Sequence, residues 1–196
     1  MDGESASESR ELCRSIHTEV DRLTEMTEEY LQFARLPKPK LHREDVNQMI
    51  ANLVAFEGEG FRKRGVELIV DLAPDLPVPL IDDSQLRQAL LNLLRNAAEA
   101  LEEHRPGGGS VTVTTLSEGD DAIVLEVHDD GPGIPRELAD KLFDPFVSTK
   151  ERGTGLGLAL THQIVLEHGG LMSVDSAPGA GTRFRIRLPT DGPAGS

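Results

Sequence analysis

Residues 110–116 and 122–129 read SVTVTTL and AIVLEVHD, and no other feature limits the fold of the chain so strongly. Apolar and polar residues alternate through SVTVTTL and from Leu125 onward in AIVLEVHD, the period of a strand. Only SEGDD joins them, a link short enough for an antiparallel hairpin. LMSVDS (171–176) and GTRFRIRLP (181–189) make a second such pair, and VELIVDL (66–72) is a further strand. Helical patterns lie between them. Asp45 can cap a helix to about Lys63, which Gly65 ends. Asp82 or Asp83 can cap a long helix through QLRQALLNLLRNAAEALEEH, which PGGG (106–109) breaks. Leu158–Leu166 is apolar and helix-compatible. Residues 41–190 therefore predict one α+β domain: an antiparallel or mixed sheet with helices on one face, in two layers.

Residues 10–36 follow a different rule. Leu12, Ile16, Val20, Leu23, Met26, Tyr30 and Phe33 recur at spacings of three and four, with charges between them. Ile16, Leu23 and Tyr30 stand seven apart, as in the seam of a helical bundle. PKPK (37–40) stops this helix and predicts a stiff linker. Residues 1–9 and 191–196 are polar or small and predict disordered tails.

Hydrophobic residues are 38% of the chain, aromatics are 4% and Trp is absent, so the core must be mostly Leu, Val, Ile and Ala. A formal net charge of −14 argues against nucleic acid or an anionic membrane as partner. The single cysteine, Cys13, leaves no internal disulfide and no Cys-based zinc site. No apolar run approaches the ~20 residues of a membrane span. The acidic N-terminus is no signal peptide. Together these predict a soluble, cytoplasmic chain.

Four short patterns and one glycine run carry the chemistry. RGTGLGLAL (152–160) sets Gly153, Gly155 and Gly157 at alternate positions before a helix. Glycine lets backbone approach an anion closely, and a helix start offers N–H groups to phosphate; a plain mobile loop fits as well. In NLLRNAAEAL, Asn92 and Asn96 are four apart and share one helix face. Their amides are either satisfied at the edge of the core or, for an amide oxygen, a hard ligand for Mg²⁺. DDGPGI (129–134) ends a strand in a sharp turn, where Asp129 could accept from an exocyclic amine. LFDPF (142–146) places Phe143 and Phe146 to hinge or anchor a loop, with Lys150 behind them for a phosphate. PGAGT (178–182) is a hairpin turn with Thr182 beside the sheet.

In this order the patterns resemble the GHKL ATPases, and closely the catalytic ATP-binding domain of bacterial sensor histidine kinases, over residues 41–189. NLLRNAAEA resembles that family's N box, and DDGPGI, GTGLGL and GAGT its three glycine boxes. LFDPF resembles its F box, and STK with a very short lid is similar to the nitrogen-regulator branch. The resemblance implies a Bergerat-type ATP-binding sandwich preceded by one long bundle helix. It implies ATP and Mg²⁺ as cofactors. Asn96 would hold Mg²⁺, Asp129 would read the adenine amine, and Thr182 would support that contact. Gly131 and Gly133 would let the backbone pass the base, and Phe143 and Phe146 would frame the lid. Gly153, Gly155, Gly157 and Lys150 would hold the triphosphate. Many relatives carry a lysine three residues after the magnesium asparagine; here Glu99 stands there, which shifts that duty to Lys150. The hydrolysing relatives carry a Glu where this chain has Asn92, and an amide cannot take a proton at neutral pH. Asn92, Asn96 and Lys150 thus form the expected catalytic set for transfer to a protein side chain.

The resemblance implies an acceptor histidine on the first helix of a dimerising hairpin, and a response regulator downstream. His17 is rejected as that acceptor. Only twenty residues separate it from Pro37, too few for a helix remainder, a turn and a second helix. Residues 10–36 instead resemble the second helix of the hairpin, able to pair with its own copy. The acceptor is expected on another polypeptide or on an absent part of this one. A docking module without transfer activity and a GHKL serine kinase are the competing readings.

Overall fold

The computed structural model describes residues 2–105, 108–139, 141–148 and 153–193. Helix α1 spans Asp2–Ala34, and strand β1, His42–Arg43, follows it. Helix α2 (Val46–Lys63), strand β2 (Val66–Leu72), strand β3 (Leu80–Ile81) and helix α3 (Asp83–His104) come next. Strands β4 (Gly109–Glu118) and β5 (Ala122–Asp129) lead to a short helix α4 (Arg136–Ala139). Helix α5 (Gly157–Glu167) and strands β6 (Leu171–Ser176) and β7 (Thr182–Pro189) close the chain.

Five strands make one sheet in the order β2-β4-β5-β7-β6. Only β2 and β4 run parallel; both expected hairpins are antiparallel neighbours. Strand β5 lies at the centre, so Ala122 to Val127 are buried on both faces. Its inward residues Ile123, Leu125 and Val127 meet Leu90, Leu94 and Leu101 of α3 and Ile50 of α2 in one core. Burying each such side chain stabilises the fold by about 1.5–3 kcal/mol. The outer face carries charge. Glu126, 8% exposed, accepts from Arg185 at 2.9 Å, and Arg185 and Arg187 both reach Glu118, at 2.9 and 2.7 Å. The fold is the two-layer α/β sandwich that the pattern predicts, with helices on one face.

The helix starts follow their caps. Asp45 accepts from Gln48 N–H, and Asp82, not Asp83, caps α3 by accepting from Ser84 and Gln85 N–H. Asn47 pins α2 to the sheet: it donates to Ala73 O at 2.7 Å and accepts from Thr115 Oγ1 at 2.9 Å.

Three boundaries differ from expectation. Residues 1–9 are not a tail from Asp2 onward, because α1 begins there. SASESRE lacks an apolar stripe, which hides the helix, but its Ala, Glu and Arg are good helix formers. Residues 191–193 are packed against the domain. Gly192 is buried against Leu80 and Leu41, Asp191 pairs with Arg43 at 2.8 Å, and Pro193 lies against Gly169. Residues 194–196 lie outside the described residues. The PKPK stretch is fastened too: Pro37 O accepts from Gln85 Nε2 at 2.9 Å, and Lys40 N–H donates to Asp82 at 2.8 Å. The two-residue pair β1–β3 is too short to leave a periodic signal.

Helix α2 holds two glycines that its environment does not require. A side chain at Gly58 or Gly60 would meet nothing within 4 Å, and neither has a positive φ. Gly58→Ala with Gly60→Ala is expected to stabilise the chain by about 1–2 kcal/mol in total. Urea unfolding checks this, and an unchanged or lower midpoint would contradict it.

Candidate functional site

Asn92 and Asn96 lie one turn apart on α3, half-buried, as their spacing predicts. Asn92 Nδ2 donates to Gly157 O at 3.3 Å, and Thr161 Oγ1 donates to the same carbonyl at 2.9 Å. The asparagine face of α3 is thereby set against the first residue of α5. At the other end of the pair, the fully buried His168 accepts Asp82 N–H at Nε2, 3.0 Å. Its Nδ1 must then carry the proton and donate to Ile164 O at 2.7 Å. The sequence shows His168 only as an unassigned histidine; its place after an apolar helix is the sole hint of burial.

Asp129 ends β5, 4% exposed. Its Oδ1 accepts Gly131 N–H at 2.9 Å, and Thr182 faces it across the β5–β7 ladder. Burial pushes its carboxyl above the usual aspartate range, against the opposing pull of the Gly131 and Thr182 N–H groups. Asp130 goes the other way. Partial burial opposes ionisation there, but Ser110 N–H at 2.8 Å and the Arg105 guanidinium hold it below its ordinary value. Adjacent carboxylates are thus divided between a structural tie and a group whose charge the fold leaves undercompensated.

The turn after Asp129 is built on bare backbone. Gly133 has φ +73°, and a side chain there would reach within 2.0 Å of Ala177 O. A side chain on Gly131 would fall 2.7 Å from Asp129 Oδ1. Gly179 N–H donates to Pro132 O at 2.6 Å, so the DDGPGI and PGAGT turns are joined. Ser176 completes the junction: its Oγ accepts Ile134 N–H and donates to Gly181 O, each at 2.8 Å, and lies 3.2 Å from Thr182 Oγ1. Ser176 carried no sequence signal beyond its place at a strand end.

The segment between LFDPF and α5 is closed at its base. Phe146 N–H donates to Gly155 O at 3.1 Å, and both residues have positive φ, +68° and +69°. A side chain on Gly155 would strike the Phe146 backbone at 2.5 Å, so this crossing requires glycine. Phe146 is 65% exposed, while Phe143 stacks on His162 of α5 with ring centroids 4.8 Å apart. Gly153 is exposed, and Gly157 belongs to α5 as its first residue. Lys150 lies outside the described residues. Thr154 accepts Leu156 N–H at 3.3 Å and donates to Glu29 of α1, a contact with no sequence signal at all.

Asp129, Thr182, Gly131 and Gly133 are thus brought together at one end of the sheet, and Asn92 and Gly157 at one helix pair. Comparison with known proteins gives the following. Residues 81–192 match the family described as histidine kinase-, DNA gyrase B-, and HSP90-like ATPase. The sensory histidine kinase/phosphatase NtrB of Rhodobacter capsulatus is 38% identical, over 94% of this chain and 54% of its own length. The nitrogen regulation protein NtrY of Azorhizobium caulinodans is 36% identical, over 91% of this chain and 23% of its own. The chain therefore spans about half or less of these relatives. Among solved structures, full-length ShkA in complex with AMPPNP superposes with TM-score 0.80 at 27% identity, covering 93% of this chain and 39% of that one. Histidine kinase ThkA in complex with response regulator TrrA superposes with TM-score 0.73 at 27% identity, covering 89% and 49%.

Proposed function

The chain belongs to the histidine kinase-, DNA gyrase B-, and HSP90-like ATPase family, and from that premise we propose that it is the catalytic part of a two-component sensor histidine kinase. It binds Mg-ATP and transfers the γ-phosphoryl group to a histidine on a helical hairpin. The observation that carries this reading is Asp129: a carboxylate 4% exposed, beside turns of bare backbone. A flat base with an exocyclic amine suits such a place, because the amine donates where water has been excluded.

The residues present fit the nucleotide. Asp129, backed by Thr182, would accept from the base, and Gly131 and Gly133 would let the base lie on the backbone. Gly153, Gly155, Gly157 and Lys150 would hold the phosphates, with Phe143 and Phe146 framing the segment. Among the described residues, no group of three or more His, Cys, Asp or Glu side chains could hold a metal. Magnesium would rely on the Asn96 amide oxygen and on oxygens of the nucleotide. ATP supplies the transferable phosphoryl group; the chain orients it. Asn92 holds the start of α5 through Gly157 O and cannot accept a proton from water. That supports transfer to a side chain over hydrolysis.

A phosphoacceptor helix of the same or another kinase and a response regulator are the proposed partners. The likeness to a kinase solved with its regulator supports the second. Leu12, Ile16, Val20, Leu23 and Tyr30 of α1 are exposed, which supports pairing of this helix with its own copy. Among the described residues no helix is long and apolar enough to cross a membrane. Use of ATP fits a cytoplasmic setting.

Labelled ATP tests the reading. The chain is expected to leave itself unlabelled and to place acid-labile, base-stable phosphate on an added acceptor hairpin. Label on the chain alone that disappears in His17→Gln would make His17 the acceptor. Hydrolysis with no label on the hairpin would replace kinase by hydrolase.

A further inference from the structure

Helix α1 and the residues just after it meet the α/β domain along one face. Phe33 and Leu36 pack against Ala89, Leu160 and Ile164, and Gln32 accepts from Gln88 Nε2 at 2.8 Å. One turn before Phe33, on the same face, half-buried Glu29 accepts from Thr154 Oγ1. Thr154 stands between Gly153 and Gly155 and also receives Leu156 N–H at 3.3 Å. The other contacts of this face with the domain, those of Gln32, Phe33 and Leu36, are apolar or neutral. One carboxylate of α1 therefore reaches into the glycine segment.

We propose that Glu29 is a positioning residue of the nucleotide site, acting through Thr154 on the glycine segment and through its charge against a bound triphosphate. The inference rests on the nucleotide reading above. The hydrogen bond fixes Thr154, and with it the residues on either side, in the arrangement described. A triphosphate that draws the same glycines around itself must release Thr154 from Glu29 or displace α1. Either way it approaches a negative charge in partly dry surroundings. Linkage makes the effect mutual: nucleotide alters where α1 sits, and the placement of α1 alters nucleotide affinity. Adenosine has no phosphates and does not engage this segment, so its affinity is independent of Glu29.

Calorimetric titration of the full chain with a non-hydrolysable ATP analogue and with adenosine tests this. Glu29→Gln keeps the shape and an acceptor but removes the charge. It is expected to bind the analogue about tenfold more tightly, with adenosine affinity unchanged. Glu29→Ala is expected to do the same, and Glu29→Asp, which keeps the charge, to stay near the parent. Equal analogue affinity in the parent and Glu29→Gln would overturn the inference, as would a parallel change for adenosine, the mark of a merely structural effect. A parent chain that binds neither ligand would overturn the nucleotide reading itself and this inference with it.

Discussion

Asp129→Asn is expected to bind adenine nucleotides roughly ten- to a hundredfold more weakly while melting no lower than the parent chain. Both halves come from one carboxylate. A charged hydrogen bond to a ligand amine is worth about 1.5–3 kcal/mol, and an amide at this place offers its acceptor without the charge. Gly131 N–H, which Asp129 Oδ1 accepts, keeps a carbonyl oxygen to bond in the variant. Stability moves the other way because burial holds the folded pKa of Asp129 above its unfolded value. The favourable part of that linkage is complete below the unfolded pKa and is lost as pH rises through the folded one. Above its folded pKa the parent therefore carries an ionised group that the fold disfavours, and the variant does not. Acidification is expected to reverse the parent's binding first: nucleotide affinity should fall at a pH above the ordinary aspartate range, ahead of any loss of structure. Calorimetry and thermal melts across pH read both effects. Unchanged affinity in the variant would remove Asp129 from the base site.

Gly181→Ala is the second large effect. Gly181 has φ +79°, and a side chain there would sit 2.0 Å from Asp129 O, a backbone atom that cannot swing aside. The left-handed backbone alone costs alanine about 1–2 kcal/mol. Moving the Asp129 carbonyl adds to that, for a total of about 2–4 kcal/mol. Nucleotide affinity should fall with it, since Asp129 moves. Gly179 is the internal control: its φ is also +79°, but a side chain would meet nothing within 4 Å. Gly179→Ala should show only the backbone cost. Urea unfolding of the two variants side by side gives the answer, and equal midpoints would mean that the close approach to Asp129 does not matter.

The sheet was legible because alternation is local: each hairpin announces itself within twenty residues, and the ladder then sets Asp129 opposite Thr182 without further help. Asn92 and Asn96 were legible as one face for the same reason. What remained hidden depends on contacts between distant segments. Phe146 takes φ +68° only because Gly155, nine residues on, crosses it. Ser176 matters because two turns converge on its hydroxyl. Glu29 and Thr154 are 125 residues apart, and no periodicity relates them. The fastened PKPK stretch hid behind its own composition: two prolines and two lysines suggest a spacer, yet the bonds that hold it use its backbone, where side-chain polarity is silent.

The ties between α3 and α5 make a frame of the molecule. Asn92 bonds the start of α5, His168 bonds the start of α3 from behind the end of α5, and Ala89, Leu160 and Ile164 fill the space between. Helix α5 is thus tied to α3 at both of its own ends. Asp129, Thr182, Gly131, Gly133 and Asn96 lie on the sheet ends and on α3, within that frame. On the proposed reading, the residues that would receive the base all lie on that frame. On that reading, docking of the base on the frame precedes engagement of the phosphates by Gly153, Gly155 and Gly157, and rapid-mixing traces are expected to show two phases for a triphosphate and one for adenosine.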